Sequence, residues 1–242
     1  MRVQMLVHSL RRGGAERVLL EIALGLQKRG HQVEVIAWLD VDEYQDACYS
    51  SIKRHYLLAK DKYRWLRSIP RSAALLRKLV TQFNPDVIEI HTPNVTWLAA
   101  CAGLRIPCIH VLHGYGDITR ISTLKDKLIR HLSRFTARIL KVSYIVVSKS
   151  MIPVAAQFYG SEFFNFTAVP NGVDLMKYIF KERPPASPPA ILILGTLSPN
   201  KGQVQGIRAF TRLLKYIPDA LLIIVGMGWI VIFLMRLCRT VA

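Results

Sequence analysis

The sequence predicts an α/β protein built on a doubly wound, mainly parallel sheet, with the beginning of a second unit of the same kind. Two observations predict it. Segments rich in β-branched residues alternate with segments of helical period over residues 1–179. The same alternation restarts at Ala190, after a proline-rich stretch. Ligands of such sheets bind at the carboxyl ends of the strands, so we expect functional residues there.

The first unit, residues 1–179, begins with a strand at 3–8 and a helix at 15–29. The helix has one apolar face, and Gly30 just beyond it is suited to a C-cap. Further strands are predicted at 31–38, 52–57, 86–91, 108–113, 144–148 and 166–169, and further helices at 65–83, 95–104, 124–141 and 150–159.

A linker and a shorter second unit follow. Residues 180–189 are rich in proline and poor in apolar residues, which is typical of a semi-rigid linker. Residues 190–228 predict a strand at 190–194, a helix at 202–216 and a strand at 220–225. Residues 229–242 show neither a hydrophobic period nor a turn signal. Only about fifty residues follow the linker, which is short for an independent domain. We therefore expect an incomplete second unit with an aberrant apolar tail.

The formal net charge of +17 predicts attraction to polyanions, namely phosphorylated substrates, anionic lipid head groups or nucleic acid. Nucleic acid is disfavoured, because no recognised binding module accompanies the charge. The four cysteines are scattered without a CxxC pair, so neither a disulfide framework nor a metal site is predicted.

The compartment follows from the two apolar segments. The N-terminal apolar run is short and is followed at once by charge, unlike a signal peptide, so we expect a cytoplasmic protein. The run at 220–235 is shorter than the ~20 residues of a bilayer-spanning helix. Its two glycines favour a strand that ends in a turn over a membrane span.

Gly13 and Gly14 lie between the first strand and the first helix. Glycines there let the backbone approach a ligand, and the helix N-terminus carries about half a positive charge, which favours phosphate. Arg11, Arg12 and Arg17 add positive charge nearby. The pattern is neither a dinucleotide fingerprint nor a Walker loop, and an ordinary strand-to-helix turn remains the alternative.

Two histidines lie at predicted strand ends. His113, followed by Gly114, ends the strand at 108–113, and His91 ends the strand at 86–91. Such positions project toward the ligand cleft, although a lone histidine is more often structural. His110 lies inside its strand and is interpreted as structural.

Two further loops are candidates. The segment Pro170 to Asp174 contains Asn171-Gly172, which predicts a tight turn with positive backbone dihedrals. The loop 194–203 joins a strand to a helix, and Lys201 at the start of that helix can place its charge on a diphosphate. Either loop alone could be an ordinary turn.

The helix at 124–141 is basic and amphipathic. Apolar residues recur at helical spacing (Leu124, Leu128, Leu132, Phe135, Ile139 and Val142), and Lys or Arg flank them. Such a helix can lie on an anionic membrane surface. An apolar face packed on the sheet with a solvated basic back is the commoner cause of this pattern.

Four segments, taken in order, carry a family resemblance: HSLRRGGAERVLLEIALGLQKRGHQVEVI, VLHG, VPNGVD and ILGTLSPNKGQ. Together they resemble the family 4 glycosyltransferases, which are retaining enzymes of the GT-B fold. The resemblance runs from Met1 to about Gly228. It implies two facing Rossmann-like domains, with the acceptor held mainly by the first domain and a UDP- or GDP-sugar held mainly by the second.

The resemblance also implies residue roles. Gly13 and Gly14 would border the donor diphosphate, His113 would contact the donor sugar near the reacting carbon, and Lys201 would neutralise the leaving diphosphate. Asn171 is a further donor-side candidate. Acceptor-side candidates are Glu16, which matches the family's GGxE pattern, together with Arg17 and His91. No metal and no cofactor are expected.

Two departures from the family pattern stand out. Thr196 occupies the place of the arginine in the family's G-R-L triplet, and a charged hydrogen bond of that kind contributes roughly 1.5 to 3 kcal/mol. After Gly228 nothing matches the paired glutamates, E-x7-E, that hold the donor in the family. We interpret the ending as a truncation or a frame change, which leaves enzymatic activity an open question.

The function expected from the sequence is hexosyl transfer from a nucleotide-activated sugar to a glycan or lipid-linked acceptor, as in polysaccharide biosynthesis. Peripheral contact with an anionic membrane on its inner face is part of this expectation. The alternatives are a non-catalytic acceptor- or membrane-binding fragment and a sugar-nucleotide epimerase of the same fold.

Overall fold

The computed structural model describes residues 1–59, 65–115, 124–160, 164–176, 179, 182, 188–198 and 201–226. The chain divides into two compact units, Met1–Val173 and Asp174–Ala242. The predicted tail at 229–242 and most of the predicted linker lie outside the described residues.

The first unit is a parallel sheet of seven strands in the order β3-β2-β1-β4-β5-β6-β7. Chain order reverses between β1 and β4, which is the switch point of a Rossmann-like, doubly wound sheet. The predicted fold class is therefore confirmed. The strands are β1 (Arg2–Val7), β2 (Gln32–Asp40), β3 (Lys53–Ala59), β4 (Val87–Ile90), β5 (Cys108–Leu112), β6 (Ser143–Val146) and β7 (Phe166–Ala168).

Helices cover both faces of this sheet. They are α1 (Gly14–Lys28), α2 (Trp65–Phe83), α3 (Pro93–Cys101), α4 (Leu124–Ile139) and α5 (Ile152–Tyr159). The face under α1 holds one core cluster, which includes Met5, Leu20 and Val35. The other face carries a larger cluster contributed by α2 to α5, and it includes Leu76 and Leu98. Because helices bury both faces of the sheet, the strands are hydrophobic along almost their whole length, as is usual in parallel sheets.

Each predicted strand and helix is present, with small shifts at the ends. The largest shift concerns α3, predicted at 95–104. It begins earlier, since Pro93 occupies the first helical turn, where its missing N–H costs nothing. It ends earlier because Gly103 adopts a left-handed conformation with φ of 63°.

The packing of α4 differs from the commoner interpretation of its sequence. Its apolar residues Leu128, Leu132, Phe135 and Ile139 are exposed. Among the α4 side chains that the structure describes, Ser133 and Ala137 are buried, and Leu140 and Val142 are buried just beyond the helix. The interpretation that this apolar face packs on the sheet is therefore wrong for these four residues, whereas Val142 is buried. The side chain of Leu124 lies outside the described residues.

The second unit contains β8 (Ala190–Leu194), α6 (Gln203–Leu213) and β9 (Leu221–Val225). The two strands pair in parallel, and Ile207 of α6 packs against Leu222 and Ile224 on one face. The apolar run at 220–235 thus begins as a strand, as predicted. None of the helices in the described ranges is long and apolar enough to cross a bilayer.

The α1 packing that positions the first loop can be tested by cavity formation. Leu20 is fully buried, so Leu20→Ala should lower the free energy of unfolding by about 3 kcal/mol. The matched control is Leu128→Ala, which removes the same atoms from an exposed position and should change stability by at most about 0.5 kcal/mol. Urea denaturation followed by circular dichroism measures both; equal losses would contradict the packing described.

Candidate functional site

Three neighbouring strands each end immediately before a histidine. His8 follows β1, His91 follows β4 and His113 follows β5. Because β1, β4 and β5 are adjacent and parallel, the three residues lie along one edge of the sheet, beside the switch point. This edge is where a doubly wound sheet binds its ligands.

His91 and His113 form a contacting pair. Nδ1 of His91 lies 2.8 Å from Nε2 of His113, and the two rings stack with centroids 5.0 Å apart. His91 is buried and His113 is half-buried. The structure therefore brings together two histidines that the sequence placed at separate strand ends.

Glu89 adds a carboxylate behind this pair. Its Oε1 lies 3.1 Å from Nε2 of His91, although the angle does not satisfy a hydrogen bond. A carboxylate favours a proton on the nearest ring nitrogen, here Nε2 of His91. Glu89, His91 and His113 thus form a continuous row of polar side chains.

The protonation state of His113 follows from its surroundings. Burial, reinforced by the neighbouring His91, lowers the pKa of His113 from 6.5 to about 4. His113 is therefore neutral near pH 7. A neutral imidazole can exchange hydrogen bonds with hydroxyl groups, as a sugar ligand requires.

His110 occupies a different environment. It points to the opposite face of the sheet, where it is fully buried, and its Nδ1 lies 3.4 Å from Oγ1 of Thr96. Burial lowers the pKa of His110 to about 3, so it is a neutral core residue. The structural interpretation of this histidine agrees with its position.

His8 was not selected as a candidate from the sequence. Its Nδ1 lies 2.8 Å from the side-chain amide of Asn94, at the start of α3, and its ring meets Trp38 edge-on. Burial, with a smaller contribution from Arg11, lowers its pKa. The signal available in the sequence was positional, because His8 follows β1 as His91 and His113 follow their strands.

Gly13 is the N-cap of α1 and is held by Tyr44. The Tyr44 hydroxyl accepts from the Gly13 N–H at 3.2 Å and donates to the Gly13 carbonyl at 2.8 Å. Its φ of −150° is open to any residue, so the backbone conformation does not require glycine. A Cβ at Gly13 would overlap the carboxylate of Glu16, whereas a Cβ at Gly14 would meet nothing within 4 Å.

Asp42 fixes the loop that carries Tyr44. It accepts from the Tyr44 N–H at 2.9 Å, from the Tyr56 hydroxyl at 2.6 Å and from the Arg54 guanidinium. Burial alone would raise the pKa of Asp42, but these donors outweigh it and hold the pKa below its usual value. No local spacing predicts these contacts, since their members come from the loop after β2 and from β3.

Glu16 connects the glycine loop to the histidine pair. Its carboxylate folds back over Gly13 at the N-terminus of α1. Burial raises the pKa of Glu16, opposed by the backbone N–H of the same residue and by the nearby His91. Gly13, Glu16, His91 and His113 therefore belong to one cluster at the sheet edge.

Of the three arginines that add positive charge near this cluster, Arg12 is held by the neighbouring loop. Arg12 donates from Nε to the Glu43 carbonyl at 3.0 Å and pairs with Asp46 at 3.5 Å. It thus holds the 42–46 loop. Arg17 is exposed on the first turns of α1.

The family model of Glycosyltransferase Family 4 matches residues 12–177, which is more than half of the chain and contains the whole cluster. The chain belongs to glycosyltransferase family 4. This confirms the resemblance carried by the four ordered motifs.

Curated relatives and solved structures agree with this membership. Glycogen synthase of Mycobacterium tuberculosis is 27% identical over 169 residues, covering 65% of this chain and 40% of that protein. Phosphatidyl-myo-inositol mannosyltransferase of Mycolicibacterium smegmatis is 26% identical over 227 residues, covering 89% of this chain and 56% of that protein. Among solved structures, Anabaena HepE in complex with UDP superposes with a TM-score of 0.76 at 19% identity, over 100% of this chain and 65% of that one. The chain thus spans about half the length of the curated relatives.

The segment around Asn171 lies at the end of the family match, and its predicted turn is wrong. Neither Asn171 nor Gly172 adopts a positive φ, and both are exposed outside any turn. The chain turns later, where Oδ1 of Asp174 accepts from the Met176 N–H at 2.9 Å. The boundary between the two units falls between Val173 and Asp174.

Lys201 and Thr196 lie in the second unit of this family 4 chain. Lys201 is exposed just before α6, whose N-cap Gly202 has a left-handed φ of 75°. The carbonyl of Thr196 accepts from the side-chain amide of the buried Gln203 at 2.9 Å. This contact ties the loop 194–203 to the helix that follows it.

Metal ligation has no support in the part of the chain that the structure describes. Within it, no group of three or more His, Cys, Asp or Glu side chains is arranged to hold a metal ion. Cys48, Cys101 and Cys108 are free thiols there. The expectation that catalysis needs no metal remains a prediction.

The lowered pKa of His113 makes a testable statement about stability and pH. Because the unfolded histidine titrates near 6.5 and the folded one near 4, the unfolded state binds more protons in this window. Stability should therefore fall as the pH drops from about 6.5 toward 4. The imidazole NMR signal of His113, followed by pH titration, should have its midpoint near 4; a midpoint near 6.5 would contradict the buried pair.

Proposed function

We propose that this protein carries the acceptor-side domain, and the beginning of the donor-side domain, of a retaining glycosyltransferase that moves a hexosyl group from a nucleotide-activated sugar. The observation that carries the proposal is the cluster at the sheet edge. A neutral His113, in contact with His91, lies at the same edge of the sheet as the N-terminus of α1, where Gly13 is the N-cap and Gly14 the first helical residue. Family membership gives this geometry its chemistry.

A nucleoside-diphosphate sugar is the donor that suits these groups. The structural neighbour HepE was solved with UDP, which supports a UDP-sugar, and a GDP-sugar has the same diphosphate. Negative charge grows on the leaving diphosphate as the glycosidic bond breaks. Backbone amides at the start of α1 and the Lys201 ammonium can stabilise that charge, without a metal or any other cofactor.

The acceptor we propose is a glycan or a lipid-linked glycan precursor. The two curated relatives are a synthase of a polysaccharide and a mannosyltransferase of a phospholipid, so both acceptor types occur among similar proteins. Transfer to a lipid-linked precursor would place the protein in the cytoplasm, in peripheral contact with the inner face of the membrane. The net charge of +17 supports contact with an anionic surface.

One observation favours a second candidate, a non-catalytic module that binds but does not transfer. Thr196 provides no positive charge at the position where the family pattern has arginine. Release of nucleoside diphosphate in the presence of an acceptor distinguishes the enzyme from the module. An epimerase of the same fold would instead convert its donor without any acceptor.

His113 carries the sharpest test of transfer. His113→Ala should reduce the rate of sugar transfer by about a hundredfold or more, because a hydrogen-bonding group at the reacting centre is lost. Its far-ultraviolet circular dichroism should stay unchanged. The matched control is His31→Ala. His31 lies just before the amino end of β2, at the sheet edge opposite to His113, so this variant should transfer sugar at the wild-type rate. Unchanged turnover in His113→Ala would remove His113 from the site.

Lys201 tests the donor side separately. Lys201→Ala should weaken binding of UDP, measured by calorimetry, by about tenfold, because one charged hydrogen bond to the diphosphate is lost. Lys215→Ala, which removes the same exposed charge beyond the end of α6, is the control. Thr196→Arg should shift affinity in the opposite direction. Equal affinity in wild type and Lys201→Ala would contradict the assigned role.

A further inference from the structure

The outer face of α4 is an exposed apolar stripe. Its members are Leu128, Leu132, Phe135 and Ile139, exposed by 60%, 42%, 62% and 52%, and we call them the α4 stripe. Spacings of four, three and four residues place them on one side of the helix over about 16 Å. A contiguous apolar surface of this kind on a charged protein indicates an interaction site.

The orientation of the α4 stripe is held by polar contacts on the opposite side of the helix. Trp97 Nε1 donates to Oγ of Ser133 at 3.2 Å, and Arg134 Nε donates to the Phe158 carbonyl, at the end of α5, at 2.6 Å. Rotating α4 to bury the stripe would break these part-buried hydrogen bonds. The stripe therefore faces outward because of the fold.

Positive charge accompanies the stripe. Lys127, Arg138 and Lys141 are exposed on or just beyond α4. Viewed down the helix axis, Lys127 and Arg138 lie less than about 90° from the nearest residue of the stripe, so their charges border it. An apolar line bordered by cations is the pattern of helices that lie in the interfacial plane of a lipid bilayer.

The stripe continues into a groove at the amino ends of β4 and β5, the edge opposite the histidine pair. The groove has a volume of about 820 Å³, and its lining includes Ile139, Val80, Asn84, Leu104, Arg77 and Arg105. Both arginines are exposed, and neither has an ion-pair partner among the described residues. Two exposed guanidinium groups beside an apolar wall suit a phosphate joined to an acyl chain.

We propose that the α4 stripe and the adjoining groove dock on an anionic phospholipid surface. The stripe enters the boundary between head groups and acyl chains, while Arg77 and Arg105 bind lipid phosphates. A second copy of the chain fits less well, because pairing stripe to stripe would bring the bordering cations of both copies together. The proposal deepens the proposed transfer to a lipid-linked acceptor and rests on it for its biological purpose.

Vesicle flotation with the full chain tests the docking surface. Vesicles of phosphatidylcholine alone are compared with vesicles that contain phosphatidylglycerol, at low and at high salt. We expect binding to the anionic vesicles, weakened by salt as surface charges are screened. The double variant Leu132→Ser/Phe135→Ser should bind at least tenfold more weakly. Its matched control, Tyr216→Ser, removes an exposed aromatic side chain from the second unit and should bind like wild type.

A second pair of variants separates the cations from the apolar stripe. Arg77→Glu/Arg105→Glu should lose at least tenfold in affinity for anionic vesicles, because each cation near such a surface contributes about fivefold. Lys28→Glu/Lys215→Glu changes the net charge equally on exposed residues elsewhere and should lose distinctly less. Equal losses in the two pairs would overturn the groove as a phosphate site.

Three results would overturn the docking proposal as a whole. These are absence of binding to anionic vesicles at low salt, equal binding by the stripe variant, and a dimer in light scattering that the stripe variant dissociates while vesicle binding persists. The last result would assign the stripe to a second copy. Release of nucleoside diphosphate with a water-soluble acceptor is measured on the same variants. It should be unchanged, so failure of membrane docking and failure of the proposed transfer are seen separately.

Discussion

The contact between His91 and His113 is the constraint on which the site depends. At the ends of β4 and β5, Nδ1 of His91 lies 2.8 Å from Nε2 of His113. The parallel register of these strands places Ile90 opposite His110. Because side chains alternate between the two faces along a strand, His91 and His113 then project from the same face of the sheet. Glu89, two residues before His91 on the same face, places a carboxylate oxygen 3.1 Å from Nε2 of His91. Burial then keeps His113 neutral. The chemistry at this edge is thus a consequence of sheet register.

A second set of contacts positions the glycine loop against the histidine pair. Asp42 holds Tyr44, and Tyr44 holds both backbone polar groups of Gly13. The carboxylate of Glu16 lies against Gly13, and the nearby His91 lowers the pKa of this carboxylate, which burial raises. Every member of this chain of contacts is buried or half-buried except the glycine itself. The buried residues therefore fix the position of the cluster, and its exposed side, at Gly13, is open to a ligand.

The same sheet organises two different surfaces. Its carboxyl edge carries the polar cluster, whereas α4 runs antiparallel to the strands on one face and presents apolar residues and cations outward. The two surfaces are held by different contacts. The hydrogen bonds that orient α4 are made to α3 and α5, and they do not involve the carboxyl ends of the strands. The groove near Arg77 and Arg105 lies at the opposite edge from His113, so lipid contact and sugar chemistry can occupy separate parts of one unit.

The order of the α-helices and β-strands in the described ranges can be predicted from the sequence, as can the positions of His91 and His113 at strand ends and of Gly13 before the first helix. These features are predictable because hydrophobic period and glycine position are local properties of the chain. The fold alone establishes which strand ends are neighbours, how Tyr44 and Asp42 reach Gly13, and which side of α4 is buried. Those outcomes depend on contacts between residues distant in sequence. The turn expected at Asn171-Gly172 shows the limit of prediction from local sequence. The chain turns a few residues later, where the Asp174 side chain accepts a hydrogen bond from the Met176 N–H.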